Sequence, residues 1–117
     1  MKTTVIGCLK TLLIVSSMLS SSAAFAVGFS GIQQIDSLRI RDTGTVAVEG
    51  VSGAWRDPDA CGDSSAVVLS PQHEFYRETY ATILMAHAAV REVRFRLKGC
   101  VEIYGTLYPE IQQAQVY

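Results

Sequence analysis

Residues 67–100 carry the clearest alternation of apolar and polar positions in the chain. Val67, Val68 and Leu69 form a short unbroken apolar run, the pattern of a small buried strand. Ser70 and Pro71 follow, a hydroxyl suited to cap a helix and a proline suited to its first position. Glu74 then places a negative charge near the positive end of the helix dipole. Tyr76, Tyr80, Ile83, His87 and Val90 recur at helical spacing, with Phe75, Thr79 and Ala86 widening the same face. Glu74, Arg77, Glu78, Ala81 and Ala88 lie opposite and read as the solvent side. The spacing predicts a helix over residues 70–91 whose broad apolar side needs a sheet to cover it. Part of that sheet follows at once. Val93, Phe95 and Leu97 alternate with Arg94, Arg96 and Lys98, as in a strand with one buried and one wet face.

Residues 32–41 alternate more weakly and predict a strand after a loose start at residues 28–31. Asp42, Thr43 and Gly44 give a hairpin turn into a second strand over residues 45–51, with Val46 and Val48 inward. Gly50, Ser52 and Gly53 break it. Residues 54–65 then form a long irregular loop that holds Trp55, Asp57, Asp59, Cys61 and Asp63. Past Gly99, residues 101–104 either continue the Arg-rich strand or form a further one. Gly105 and Pro109 mark turns, and residues 111–117 make a closing strand. One helix cannot cover a sheet of about five to six strands unless the sheet curves strongly. The expected fold is therefore α+β: a small OB-like, mostly antiparallel barrel or curved sheet with one long helix closing an end.

The N-terminus changes the picture of where the chain works. Lys2 and Lys10, an apolar core over residues 11–19 and the small-x-small triplet Ala24-Phe25-Ala26 read as a secretory signal peptide over residues 1–26. The apolar run is short for a transmembrane helix, and no membrane insertion is expected after its removal. Residues 27–117 would be a single exported domain, periplasmic or secreted. Cys8 would leave with the signal, and Cys61 with Cys100 would remain as a disulfide. Loss of Lys2 and Lys10 takes the formal charge from −1 to −3, which gives no nucleic-acid signal. No cofactor or metal is expected.

Candidate chemistry is sparse. His87 lies on the predicted apolar face and reads as a core histidine; His73 sits in the predicted first turn and reads as exposed. Ser64, Ser65 and Ser70 are close to His73 in sequence, without a nucleophile-elbow motif around them. Asp57, Asp59 and Asp63 lack the spacing of a calcium loop and read as solvated acids. Arg94, Arg96 and Lys98 form a row on one strand face. That row is either an anion-binding surface or the charged protection of an edge strand. Trp55 either stacks on a sugar ring or anchors a partner, or else folds back under the disulfide to cap the barrel. The candidate ligand-binding residues are thus Trp55, Arg94, Arg96 and Lys98, and no catalytic residue is assigned.

The helix over residues 75–90, the strand Val93-Arg94-Phe95-Arg96-Leu97 and Tyr108-Pro109 before the last strand resemble the B subunits of bacterial AB-type toxins, of the subtilase cytotoxin kind. The wider pattern Cys61-Gly62, Val67-Val68-Leu69-Ser70-Pro71 and Gly99-Cys100 also looks like small exported bacterial proteins of unassigned role. The toxin resemblance implies an OB-fold, a glycan-binding surface and a homo-oligomeric ring, and carries over no individual contact residue. The expected function is a binding module for a glycan or protein partner, with no catalysis of its own. The alternative is a small periplasmic hydrolase or hydrolase inhibitor acting through residues 54–65.

Overall fold

Val93, Phe95 and Leu97 are fully buried while Arg96 and Lys98 are exposed, as their alternation predicts. They belong to β4 (Glu92–Ile103) in a computed structural model that describes residues 28–117. The expected signal segment, residues 1–26, and Cys8 lie outside the described residues. The elements before β4 are β1 (Gly28–Ile40), β2 (Val46–Gly50), β3 (Val67–Leu69) and the helix α1 (Tyr76–Ala88); β5 (Thr106–Val116) closes the chain. Strand pairing runs β1–β2–β3–β5–β4 and returns from β4 to β1, so the five strands of this α+β domain hydrogen-bond in a closed ring. The pairs are antiparallel except β3 with β5, which is parallel where Val68 meets Glu110.

The turns form where their residues tolerate them. Gly44 takes φ +89° in the β1–β2 hairpin, where its N–H donates to Arg41 O at 2.9 Å. Tyr104 and Gly105 both have positive φ in the tight β4–β5 hairpin. Residues 101–103 continue β4 past an irregularity between Leu97 and Cys100. Two expectations fail here. Residues 28–31 are not a loose start but the first residues of β1, paired with β4 from Gly28 opposite Leu97. Pro109 marks no turn: it lies buried inside β5, opposite Cys100. A proline without an N–H is tolerated in a strand where the ladder is already irregular.

The helix also differs from its prediction. It starts at Tyr76, because residues 70–75 form successive turns instead: His73 N–H donates to Ser70 O and Tyr76 N–H to His73 O, each at 3.1 Å. Ser70 Oγ accepts from Gln72 N–H, so it closes a turn and caps no helix. At the other end Arg91 N–H reaches back to Ala86 O at 2.9 Å, with Val90 in the left-handed region at φ 57°. Val90 is thereby turned out of the helical face. The buried stripe is narrow: Thr79, Ile83 and Ala86. His87, one position and about 100° round from Ala86, is exposed and is not a core histidine. Tyr76 still anchors the helix start through a hydrogen bond from its hydroxyl to Gly44 O.

The core gathers Ile35, Val46, Val48, Trp55, Val67, Leu69, Ile83, Phe95, Leu97 and Ile111 inside the ring. Cys61 and Cys100 form the expected disulfide with Cα atoms 5.7 Å apart. No helix among the described residues is long and apolar enough to cross a membrane.

Ile83 is fully buried, so Ile83→Ala should lower stability by about 2–5 kcal/mol in denaturant unfolding. His87→Ala should change it by under about 0.5 kcal/mol, since the ring is exposed; equal losses would place the helix face elsewhere. Replacing both Cys61 and Cys100 with Ser should cost about 4 kcal/mol, because the bridge closes a sequence separation of 39 residues.

Candidate functional site

The outward row on β4 acquires neighbours through a bulge in β1. Phe29 pairs with Arg96 and Ile32 with Arg94, so Ser30 and Gly31 together oppose the single residue Phe95. In a regular strand, residues three apart point to opposite faces. The extra residue puts both Phe29 and Ile32 on the outer face, where they are 45% and 52% exposed. Gly31 supplies the turn in the backbone at φ +87°. Ser30 is buried and repairs the ladder: its Oγ accepts the Phe95 N–H at 2.9 Å and donates to Gly31 O at 2.8 Å.

On its other side β4 pairs Arg94 with Gln115 and Arg96 with Gln113 of β5. The outer face therefore carries rows of an apolar side chain, a guanidinium and a carboxamide: Phe29, Arg96, Gln113, then Ile32, Arg94, Gln115. Arg94 lies over the Phe29 ring, 4.0 Å from its centroid, and one of its Nη groups donates to Gln115 Oε1 at 2.8 Å. Its Nε–H is buried without a hydrogen-bond partner. Arg96 and Lys98 border a second depression with Gln112 and Gln113. Over residues 93–97, β4 is paired on both sides. Arg94 and Arg96 thus protect no sheet edge, whereas Lys98 lies past the last residue of β4 that pairs with β1.

Residues 54–65 reach the same face. Arg56 N–H donates to Ser30 O at 3.0 Å, which fixes the loop to the bulge. Arg56, Arg94, Phe29, Gly31 and Ile32 line a cleft of about 350 Å³. Trp55 itself turns inward. It is 3% exposed, donates from Nε1 to Val48 O at 3.0 Å, and packs edge-on against Phe95 with ring centroids 5.2 Å apart. Trp55 is therefore a core residue, and its indole face is not open to a sugar. The structure thus joins the strand row to the loop, but through Arg56 rather than Trp55. Phe29, Ile32 and Arg56 were not singled out from sequence. The available signal was Gly31 inside an otherwise apolar strand start, which marks a bulge.

The loop acids are occupied. Asp57 accepts from Cys61 N–H and Gly62 N–H at 2.8 and 3.0 Å. Asp59 accepts from Gly99 N–H at 2.6 Å, across to the irregularity in β4. Asp63 accepts from both the N–H and the hydroxyl of Ser65, which holds its carboxyl below the usual range. His73 is half-buried: its Nδ1 accepts from Phe75 N–H at 3.0 Å, so its Nε2–H donates to Gln112 O at 2.9 Å. Both ring nitrogens serve the backbone.

Other depressions lie elsewhere on the surface. A groove of about 370 Å³ runs between α1 and β5, lined by His73, Phe75, Glu78, Thr82 and Gln112 among others. Near it burial pushes the Glu110 carboxyl up. The β1–β2 and β4–β5 hairpins enclose about 190 Å³ where Arg41 stacks on Tyr104, 4.6 Å from the ring centroid. No family model, curated protein or solved structure matches the chain.

A carboxyl whose folded pKa is raised favours the fold below its unfolded value and loses that contribution as pH rises through the folded value. Glu110→Gln should therefore raise the melting temperature at neutral pH. The gain should vanish below the ordinary value of 4.5; a pH-independent difference in thermal unfolding would contradict burial as the cause.

Proposed function

We propose that the chain is a small exported binding module that recognises a glycan or protein partner through the outer face of β1, β4 and β5, with no catalysis of its own. One observation carries the proposal. The bulge at Ser30 and Gly31 exposes Phe29 and Ile32 beside Arg94 and Arg96 on the outer face of the ring. Apolar, cationic and carboxamide side chains side by side suit a partner with both acidic and apolar groups. The strand order and the helix between β3 and β4 support an OB-like reading, the fold that the likeness to toxin B subunits implies. Ring assembly belongs to the same proposal. The disulfide supports export, because such bonds persist in oxidising compartments. A hydrolytic role for His73 itself would require it to give up both of its backbone hydrogen bonds.

The cleanest charge reversal is Arg96→Glu with Lys98→Glu, since both are exposed whereas Arg94 is half-buried over Phe29. The double variant should fold with unchanged stability. On a saccharide array and against immobilised acidic proteins it should lose the wild type's strongest interaction, and the wild-type interaction should weaken as salt rises. Unaltered binding by the folded variant would overturn the proposal.

A further inference from the structure

We infer that the cleft between the β1 bulge and residues 54–65 binds an organic carboxylate, with Arg94 and Arg56 taking the charged group and Phe29 and Ile32 its apolar body. The inference rests on the reading of this face as the contact surface and adds the chemistry of what it holds.

Charge complementarity comes first. Two arginines line the cleft and no acidic side chain does. A guanidinium presents donors in a planar fork that matches a carboxylate. Arg94 has committed one donor, to Gln115 Oε1, and its Nε–H is buried without an acceptor. A buried donor left unpaired is costly. A small movement of the Arg94 head into the cleft therefore breaks no hydrogen bond at Nε and lets that donor meet a ligand oxygen. Arg56 is held at the rim by its own backbone: its N–H on Ser30 O fixes the position of its Cα, and its side chain remains exposed.

The apolar side of the ligand follows from the bulge. Phe29 and Ile32 are about half exposed on either side of Gly31, although strand residues three apart would ordinarily be divided between the faces. A bare inorganic anion leaves these two side chains wet. A neutral apolar ligand leaves both arginines without a counter-charge. A carboxylate attached to a compact apolar group satisfies both, and the cleft, at about 350 Å³, has room for one ring or a short chain. The carboxylate of an acidic sugar and that of an aliphatic or aromatic acid share this chemistry.

The disulfide-bonded protein, labelled with 15N, is titrated at low salt with acetate, 3-phenylpropanoate, its neutral analogue 3-phenylpropanamide, and glucuronate, reading the arginine Nε–H resonances and binding heat. 3-Phenylpropanoate should move the Arg94 Nε–H signal saturably and bind about tenfold more tightly than acetate, from the apolar area it covers. The amide should bind at least tenfold more weakly than the acid. Glucuronate at the strength of 3-phenylpropanoate assigns the site to acidic sugars, and markedly weaker glucuronate assigns it to apolar acids; either supports the carboxylate. Arg56→Gln, an exposed change that leaves folding untouched, should weaken the acids several-fold, and so should Arg94→Gln where that variant folds. Equal binding of acid and amide, or acid binding unchanged in Arg56→Gln, overturns the inference. Should that happen while Arg96→Glu with Lys98→Glu still abolishes partner binding, the carboxylate assignment fails and the binding face stands. If the acids bind as described while that double variant keeps its partner, the wider function fails and the cleft assignment stands.

Discussion

The domain depends on one seam, the pairing of β1 with β4 that closes the ring. A single helix with a buried stripe of Thr79, Ile83 and Ala86 covers only a small apolar area. An open sheet of this size would leave most of one face wet. Closure lets the strands bury one another's inward side chains, and it removes the unpaired edges that open sheets must protect. Phe95 stands at the middle of the seam. Its side chain is fully buried, Trp55 packs edge-on against it, and its N–H is satisfied by the hydroxyl of Ser30. The disulfide and the Asp59 carboxylate then tie residues 54–65 to the far end of β4, at Cys100 and Gly99.

The same seam creates the surface chemistry. Ser30 and Gly31 occupy the space of one residue, and that extra residue changes which side chains face outward. Phe29 and Ile32 become neighbours of Arg96 and Arg94 as a geometric consequence of how the ring closes. A structural device and a candidate binding face therefore share the same residues. Gly50 shows the complementary constraint on the inner side: a Cβ there would fall within 2.4 Å of the Gln33 carboxamide, which holds Ser52 N–H and Gly53 O.

Most of the polar groups that look chemically promising along residues 54–73 are spent locally. Asp57, Asp59, Asp63, Ser70 and His73 each satisfy backbone N–H or carbonyl groups of irregular segments. A loop without strand or helix partners must find hydrogen bonds for its own backbone, and short polar side chains are the nearest source. Their density marks how hard the loop is to hold rather than where chemistry occurs.

What the sequence determined by itself was everything governed by local period and local turn chemistry. The strict alternation of β4, the apolar triplet of β3, the β1–β2 hairpin at Gly44 and the pairing of Cys61 with Cys100 were all legible, because each depends on neighbours close in the chain or on a count of two. The existence of α1 was legible too, but not its start. Ser70 and Pro71 suit a turn as well as a cap, and only the packing of Tyr76 against the β1–β2 hairpin selects between them. Tertiary structure alone decided that His87 is exposed, that Trp55 is core, and that Pro109 lies within a strand. It also decided that Arg94 meets Phe29 and shares a cleft with Arg56. Those three residues are far apart in the chain and come together only when β1 closes on β4. No local pattern encodes a closure between distant strands, since its register is set by how the whole core packs.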